Sequence, residues 1–512
     1  MAMSLNEICQ WIRAAAPGGR LVSDSRRVAR GDVFFAYPGD AADGRRCIGA
    51  ALAAGAAAVV YDDAGYSWDD SIELPHLAVA NLKKNAGPIA HGVLGMPDAG
   101  MFTVGVTGTN GKTSCAVWTA QALARLGETA AVIGTLGVGV LNGKDRGKVE
   151  PQFDPTGYTT PDAVLLAQLL SDLRAQEAGA LAIEVSSIGL VQERTAGMHF
   201  DVAIFTNLTR DHLDFHGTME NYEAAKVRLF EWEGLKHAVV NLDDPAGLRL
   251  VAHLRKNLAH LAVTGYTLHG EAAQPAIEGV GILRASGMRS RPAGTEFNVD
   301  TPAGNALVKT QLVGHFNVSN ALAVLGALLA KGVDLKHAVE AIEGLVPAPG
   351  RMQQIGGQDA PMVVIDYAHT PDALEKTLAA LRQVARERGG ELWCVFGCGG
   401  DRDPGKRPQM GAVAQAADHV LVTSDNPRSE EPANIIAQIV AGMDASVEHQ
   451  AVEDRANAIL LAVKNAGKQD VILLAGKGHE PYQEIKGKKM PFSDADHASL
   501  ALTARLTMMR TH

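Results

Sequence analysis

The chain has 512 residues, 46% of them hydrophobic and 20% charged, which predicts a globular protein of about three domains. It contains no run of 18 or more apolar residues, which argues against a membrane-spanning helix. The formal net charge of −10 argues against nucleic acid as a partner, since no basic stripe is available to neutralise phosphates. The amino-terminal segment lacks the charged-then-apolar pattern of a secretory signal, and the five cysteines are scattered. We therefore expect reduced thiols and a cytoplasmic location.

The first predicted block, residues 1–98, contains short strand-like runs at 33–37 and 57–61. An alanine-rich helix is predicted between these two runs. Residues 97–100, Pro-Asp-Ala-Gly, have the composition of a linker and predict the end of the block.

The second block, residues 99–345, alternates apolar runs with helical patterns. The runs are continuous rather than alternating, as expected for buried parallel strands with helices on both faces of the sheet. They lie at 101–106, 180–185, 202–207 and 238–242. Residues 276–312 carry glycine and proline breaks and predict a small β appendage, which a helix at 317–330 follows.

The third block, residues 346–512, begins at the proline-rich boundary 347–350, and its pattern predicts a second α/β unit. Its predicted strands lie at 362–367, 392–396, 419–423 and 471–475, with a helix at 372–388 after the first. The whole chain is thus predicted to be an α/β protein of three domains. The central one has a P-loop-type parallel sheet with helices on both faces, and the C-terminal one is Rossmann-like.

A phosphate-binding loop is predicted at residues 107–113, Thr-Gly-Thr-Asn-Gly-Lys-Thr, directly after an apolar run. Gly108 and Gly111 let backbone N–H groups converge, and the following helix directs its positive N-terminal dipole into the same space. We expect Lys112 to reach the β- and γ-phosphates of ATP and the Thr113 hydroxyl to ligate Mg²⁺. The general P-loop pattern is not matched strictly, because Val106 occupies its first glycine position. The alternative is an ordinary strand-to-helix turn with an exposed lysine.

Two further segments contain candidate metal ligands. Glu184 ends a predicted buried strand, where a carboxylate can hold Mg²⁺, although it can equally be a solvated strand-end side chain. Residues 207–217 contain two histidines and two aspartates within six positions, which by themselves favour a metallohydrolase as much as an ATP enzyme. Beside the phosphate loop, we interpret His212 as a ligand for a second Mg²⁺. Lys226 lies on a predicted helix, and composition alone leaves it a surface charge.

The third block contains two turns that suit a small zwitterion. Residues 424–430, Ser-Asp-Asn-Pro-Arg-Ser-Glu, follow a predicted strand, and residues 476–480, Gly-Lys-Gly-His-Glu, form a second turn of this kind. The planar guanidinium of Arg428 can pair with a carboxylate in bidentate fashion, and Asp425 or Asn426 could meet an ammonium group. The alternative is that both segments are only capping turns.

Taken together, these segments resemble the Mur ligase family, ATP-dependent enzymes that add amino acids to the growing peptide of UDP-N-acetylmuramic acid. The resemblance covers nearly the whole chain. Its segments are 22–26, 107–113, 158–161, 184–187, 209–214, Lys226, 314–317, 350–351, 366–369, 425–428 and 476–480. Residues 425–428, Asp-Asn-Pro-Arg, resemble the members that add meso-diaminopimelate, rather than L-lysine, as the third amino acid.

The resemblance implies a role for each block and each candidate residue. Residues 1–98 would bind the UDP end, 99–345 ATP, and 346–512 the incoming amino acid. In the family the lysine that matches Lys226 is carbamylated, so Lys226 would help Glu184 and His212 to ligate the second Mg²⁺. The implied ATP-binding residues are Gly108, Thr109, Asn110, Gly111, Lys112, Thr113, Asn317, Arg351, Asp366 and His369.

The two remaining substrates also receive residues by resemblance. UDP-MurNAc-dipeptide would contact Ser23, Ser25, Thr159, Thr160, Ser187, Gln192 and Arg194. Diaminopimelate would contact Arg402, Asp425, Asn426, Arg428, Gly476 and Glu480. The sequence departs from the family at Ile188, where histidine is frequent, and at Val191, where an acidic residue is frequent.

Several other functions compete with this interpretation. Within the superfamily they are folylpolyglutamate synthase and the ligases that add L-lysine or D-Ala-D-Ala. From other classes they are a metal-dependent hydrolase built on His212 and His216, or a nucleotide-binding regulator without catalysis. The preferred interpretation predicts a monomer whose partners are small-molecule substrates.

Overall fold

The computed structural model describes residues 3–39, 42–144, 152–270, 274–291 and 294–510. They form three successive α/β units, each built on one largely parallel sheet. Among the described residues, no helix combines the length and apolar character needed to cross a bilayer. The predicted fold class is confirmed.

The first unit has a four-stranded parallel sheet in the order β1-β2-β3-β4. Its strands are β1 Leu21–Val22, β2 Val33–Ala36, β3 Ala58–Asp62 and β4 His76–Val79. Its helices are α1 Leu5–Ala15, α2 Ile48–Ala53 and α3 Leu82–Val93, with short 3₁₀ turns at Ser25–Arg27 and Gly44–Cys47. One face of this sheet packs against α1 and α3.

The central unit has eleven strands in the order β15-β14-β13-β12-β11-β10-β5-β9-β6-β7-β8. The strands are β5 Phe102–Thr107, β6 Ala130–Gly134, β7 Gly137–Leu141, β8 Phe153–Asp154, β9 Ala180–Glu184, β10 Val202–Phe205, β11 His237–Asn241, β12 Ala262–Thr267, β13 Val280–Arg291, β14 Gly294–Thr301 and β15 Gly304–Thr310. The helices are α4 Lys112–Arg125, α5 Ala163–Ala175, α6 Ser187–Val191, α7 Leu213–His216, α8 Met219–Val227, α9 Pro245–Asn257, α10 His315–Ala330 and α11 Leu335–Glu343.

The central sheet is buried on both faces, as its continuous apolar runs predict. Val104 and Val106 pack into one core with α4 and α10, whereas Ala203 and Phe205 pack into a second core on the opposite face. The β appendage predicted at 276–312 is not separate. Its strands β13, β14 and β15 extend the same sheet, because β13 pairs with β12 in parallel and the next two strands return antiparallel.

The third unit has a six-stranded sheet in the order β16-β17-β21-β18-β19-β20, in which only β16 is antiparallel. Its strands are β16 Gln353–Gly356, β17 Met362–Asp366, β18 Leu392–Phe396, β19 His419–Val422, β20 His449–Ala451 and β21 Val471–Ala475, followed by a hairpin of β22 Tyr482–Ile485 and β23 Lys488–Pro491. Its helices are α12 Pro371–Arg388, α13 Lys406–Ala414, α14 Pro432–Val440, α15 Arg455–Asn465 and α16 Asp494–Arg510.

A chain of ionisable side chains joins the first and central units at the edge away from the phosphate loop. Asp98, in the segment between α3 and β5, accepts hydrogen bonds from His91 Nδ1 at 3.2 Å and His199 Nδ1 at 3.1 Å. Asp201 lies 3.5 Å from His199 Nε2 and binds Lys236 Nζ at 2.6 Å. Hydrogen bonds to Asp201 and Asp98 raise the pKa of His199 to about 10, so its imidazolium is retained at neutral pH.

This raised pKa predicts a stability contribution that depends on pH. A histidine whose pKa rises from about 6.5 to about 10 on folding stabilises the native state fully below pH 6.5, and this contribution is lost as the pH rises towards 10. We expect His199→Gln to destabilise the protein by about 1 kcal/mol at pH 6 and by much less at pH 10. Urea denaturation midpoints at both pH values measure this, with the surface variant His253→Gln as control. A difference independent of pH would contradict the charged state of His199.

Candidate active site

A cleft of about 870 Å³ opens at the carboxyl ends of the central strands, where β5, β9 and β10 give way to loops. Residues of the third unit form its opposite wall. The predicted residues that line the cleft are Thr109, Asn110, Gly111, Lys112, Thr113, Thr159, Glu184, Ser187, His212, Lys226, Asn317, Arg351, Asp366 and His369. The structure thus brings together most of the predicted ATP and metal residues.

The phosphate loop turns sharply between β5 and α4, and its glycines lie where a side chain could not fit. Gly108 has φ +148°, and a Cβ there would lie 1.8 Å from Thr206 Oγ1. Gly111 has φ +86°, and a Cβ there would lie 2.6 Å from Asn320 Oδ1. The loop is also held from β10, because Asn207 Oδ1 accepts a hydrogen bond from the Asn110 amide at 2.8 Å. These constraints pre-form a loop for anions at the amino end of α4.

Two lysine side chains converge on one carbonyl of this loop. Lys112 Nζ donates to the carbonyls of Gly108 and Thr109, both at 2.9 Å. Lys226 Nζ, on α8, donates to the same Gly108 carbonyl at 2.9 Å. The two amines therefore lie side by side at the loop, where Lys112 can meet a polyanion.

Lys226 is buried rather than the surface charge that composition alone suggests. It is 2% exposed, and its Nζ lies 4.3 Å from the centroid of the Tyr222 ring. Burial, aided by the charge of Lys112, holds the pKa of Lys226 well below its ordinary value. Within the described residues no ion pair involves Lys226. Its environment therefore favours an uncharged amine.

Glu184 ends β9, and Thr135 holds its carboxylate in place. The backbone N–H of Thr135 donates to Glu184 Oε1 at 2.8 Å, and the Thr135 hydroxyl donates to Oε2 at 3.2 Å. A Cβ on Gly134 would lie 2.2 Å from Oε1, so the carboxylate occupies space that only glycine leaves open. These contacts fix the orientation of one carboxylate at the cleft.

His212 immediately precedes α7 and has the unusual φ of +52°. Its side chain is half-buried, and its Nε2 lies 3.5 Å from Asp211 Oδ2. Burial lowers the pKa of His212 and outweighs the nearby Asp211 carboxylate, so a neutral nitrogen is available as a ligand. In the described part of the chain, no three His, Cys, Asp or Glu side chains form a metal centre by themselves. A cation bound here therefore needs oxygen ligands from substrate phosphates or water, which is how proteins usually bind Mg²⁺.

The third unit contacts the phosphate loop directly. Arg351 Nη2 donates to Thr113 Oγ1 at 3.1 Å, and Asp372 accepts from Asn110 Nδ2 at 3.0 Å. The Arg351 guanidinium lies 4.4 Å from the centroid of the Tyr367 ring. Its Nη1 is buried and makes no hydrogen bond to the described residues. An unpartnered guanidinium nitrogen beside a phosphate loop points to an anionic ligand.

The other three predicted ATP residues line the cleft from both sides, Asp366 and His369 in the third unit and Asn317 on α10 of the central unit. Asp366 accepts the backbone N–H groups of Met352 and Ala368, both at 2.9 Å, although burial raises its pKa. Burial, together with the charge of Lys406, lowers the pKa of His369 to about 4, so its ring is neutral. Asn317 Nδ2 binds the Val313 carbonyl at 2.8 Å.

The predicted sugar–peptide residues divide into two groups. Thr159 and Ser187 line the cleft, where they bind Thr135 Oγ1 and His216 Nε2. The others lie outside its lining. Thr160 binds the Glu184 carbonyl, Arg194 binds Gln192 and the Thr160 carbonyl, and Ser23 binds Asp162 Oδ1 at 2.8 Å. Ser25 begins the 3₁₀ turn Ser25–Arg27 in the first unit.

The predicted amino-acid residues form a separate cluster at the carboxyl ends of β19 and β21. Arg428 Nη1 binds the Gly400 carbonyl at 2.7 Å, and its Nε lies 3.3 Å from Glu484 on the hairpin β22–β23. Asn426 Nδ2 donates to Glu480 Oε2 at 2.8 Å. Gly476 has φ +108°, and a Cβ there would lie 2.6 Å from Asp425 Oδ2. Arg402 is exposed and lies beside Gly399, since its Cγ is 3.7 Å from the position that a Cβ on Gly399 would occupy.

Sequence reasoning did not select several residues that shape the cleft. Tyr222 lies four positions before Lys226 on α8, a spacing that places both on one helix face and could have been used. Asn207 begins the segment 207–217, in which the histidines and aspartates are the more evident metal ligands. Thr135 acts through its backbone N–H, which no residue pattern reveals.

Comparisons with known proteins agree with this architecture. Three family models match in succession: "Mur ligase family, catalytic domain" at residues 20–89, "Mur ligase middle domain" at 106–328, and "Mur ligase, glutamate ligase domain" at 350–478.

Named relatives match over nearly the whole chain. A protein of Janthinobacterium sp. (strain Marseille) named UDP-N-acetylmuramoyl-L-alanyl-D-glutamate--2,6-diaminopimelate ligase is 60% identical over 504 residues, covering 98% of each chain. One of the same name from Ralstonia nicotianae is 51% identical, covering 99% of this chain and 97% of that one. A solved structure with this name is 36% identical, with TM-score 0.65 and 95% of each chain covered.

Proposed function

The chain belongs to the Mur ligase family, and on that premise we propose that it is an ATP-dependent carbon–nitrogen ligase in peptidoglycan precursor synthesis. It joins meso-diaminopimelate to UDP-MurNAc-L-Ala-D-Glu and releases ADP and phosphate. The observation that carries the proposal is the cleft, in which a glycine-lined phosphate loop, an oriented carboxylate and a buried lysine face Arg351 of the third unit. The names of relatives that span the whole chain support the choice of diaminopimelate.

The central problem of this reaction is electrostatic, because a substrate carboxylate must approach a triphosphate. Lys112 lies beside the loop, and the amino end of α4 adds the N–H groups of its first turn. Arg351 adds a second cation from the opposite wall. These groups reduce the repulsion and stabilise the phosphoryl group during its transfer, which yields an acyl phosphate.

The second step forms the new peptide bond. An uncharged amine of diaminopimelate attacks the acyl phosphate carbon, and a tetrahedral intermediate forms as the amine loses a proton. Its collapse breaks the carbon–oxygen bond to phosphate, which leaves with the bonding electrons. The loops at 424–428 and 476–480 would orient the amine, since a guanidinium such as that of Arg428 can bind one of the two ligand carboxylates.

The donor set suits two Mg²⁺ ions that also have ligands from ATP. Thr113 would hold the first ion, and Glu184, His212 and Lys226 as a carbamate would hold the second. Bound there, the ions would neutralise phosphate charge and polarise the transferring phosphoryl group. The unmodified Lys226 ammonium would repel the second ion. The uncharged amine favoured by burial can add to CO₂, forming an N–C bond and releasing a proton, which converts a neutral amine into an anion.

We also retain the predicted contact sets and domain limits as proposals. The limits 1–98, 99–345 and 346–512 each enclose one main sheet, and the three matched family regions fall within them. We propose that the protein is a monomer that acts on small molecules. A precursor pathway of this kind would place the protein in the cytoplasm.

The proposed reaction predicts strict dependence on both co-substrates. Phosphate release from ATP should require UDP-MurNAc-L-Ala-D-Glu and meso-diaminopimelate together, because each reacts in a different step. The measurement is coupled ADP detection with each substrate omitted in turn. D-Ala-D-Ala, L-lysine and a folate with glutamate serve as competing substrate sets. Equal or faster turnover with any of these would contradict the proposed function.

Lys226→Ala should be nearly inactive, with turnover reduced at least roughly 10³-fold, because the metal would lose an anionic ligand. Acetate or formate at high concentration should restore part of the activity by supplying the missing carboxylate. Steady-state ADP formation with increasing formate measures this, and the exposed α9 variant Lys256→Ala is the control. Failure of rescue, together with an unmodified Lys226 side chain in a high-resolution crystal structure of the active enzyme, would contradict the carbamate.

Arg428→Ala should raise KM for diaminopimelate roughly 10- to 100-fold, since a charge-assisted contact to a carboxylate is lost. KM for ATP should stay within about twofold, because the loop lies outside the ATP cleft. Initial rates with each substrate varied separately test this, with the exposed α12 variant Arg386→Ala as control. A rise in KM for ATP of the same size would show that Arg428 does not select the amino acid.

A further inference from the structure

Lys477 is the most buried cation of the third unit's ligand loops, and sequence analysis gave it no role. Its side chain is 0% exposed. Its Nζ donates to Asn426 Oδ1 and to Glu480 Oε2, both at 3.1 Å, and lies 3.6 Å from Asp425 Oδ1. The three neighbours are all residues proposed to contact the amino-acid substrate. One ammonium group therefore joins loop 424–428 to loop 476–480.

Charge explains why a cation is needed at this point. Asp425 and Glu480 both lie within 3.6 Å of Nζ, so without it two carboxylates would share a nearly water-free site. Two carboxylates placed together repel each other, and the Lys477 ammonium offsets this repulsion. The two carboxylates and the one ammonium together carry one net negative charge. That charge suits the ammonium group of an amino acid.

Asn426 shows that the arrangement also fixes geometry. Its Oδ1 accepts from Lys477 and from the Glu484 N–H at 2.9 Å, while its Nδ2 donates to Glu480. The amide is therefore engaged within the protein. Gln483 Nε2 adds a bond to the Asp425 carbonyl at 2.8 Å, which ties the same loop to β22. The Glu480 carboxylate retains 17% of its surface exposed and can still meet a ligand.

We propose that Lys477 is a positioning residue for the amino-acid substrate, holding Asp425 and Glu480 in the orientation that receives an ammonium group of the diamino diacid. It does not bind the ligand itself, because its ammonium has no exposed surface. The inference rests on the proposed function, from which it takes the identity of the substrate. It adds a determinant of amino-acid affinity that lies behind the contact residues.

The variants Lys477→Met and Lys477→Gln test this role. Methionine matches the length of the side chain without its charge, and glutamine keeps two N–H donors. We expect either to raise KM for diaminopimelate at least tenfold, while KM for ATP and for UDP-MurNAc-dipeptide changes less than twofold. The exposed α15 variant Lys464→Met should leave all three values unchanged.

The kinetic pattern separates positioning from a merely structural role. A structural role would reduce the active fraction, and so kcat, with every KM unchanged, and that result would overturn the proposal. A double-mutant cycle with Glu480→Gln adds a second measurement. Lys477→Met should cost less in the Glu480→Gln background, because the carboxylate that needs compensation is gone. Additive effects on KM would contradict the proposed link.

A structure of the native protein with diaminopimelate tests the same claim if both variants fail to fold. Lys477 Nζ should keep its contacts with Asp425 and Glu480 and lie more than about 4 Å from every ligand atom. Direct contact between Nζ and a ligand carboxylate would overturn the positioning role. The native assay separates the two proposals. Absence of turnover with diaminopimelate refutes the function, whereas native turnover with unaltered Lys477 variants refutes only this inference.

Discussion

The approach of Lys112 and Lys226 to the single carbonyl of Gly108 is the interaction on which the rest of the site depends. Two amines at one oxygen are unfavourable if both are charged, and burial of Lys226 removes this conflict by lowering its pKa. The carbonyl is available only because the loop makes a glycine turn against Thr206. The fold thus places a loop that suits polyanions directly beside a buried, uncharged amine.

The third unit completes the site from the other side. Arg351 and Asp372 bind the phosphate loop directly, so the unit that carries loops 424–428 and 476–480 already contacts that loop. Lys477 repeats, inside that unit, the use of a buried lysine to organise its surroundings. There the neighbours are carboxylates rather than a second amine, and the ammonium is stabilised by pairing.

Much of the fold follows from local pattern. Continuous apolar runs such as 202–207 become strands buried on both faces, and the predicted strands 392–396 and 471–475 match the observed limits of β18 and β21. Residues 276–312 contain strands, as predicted, but these strands extend the central sheet and do not form an appendage to it. Glycine and proline breaks between short runs indicate strands, but they do not indicate that β13 pairs with β12.

The phosphate loop, the α/β class and the identity of the charged turns can all be predicted from the amino-acid sequence, because glycine spacing, apolar runs and side-chain chemistry are local properties. Which of these groups meet depends on the three-dimensional fold. Burial of Lys226, the Thr135 N–H on Glu184 and the shared contacts of Lys477 each join residues far apart in the chain. Such contacts depend on strand order and on unit-to-unit packing, and pKa shifts follow from the burial that packing produces.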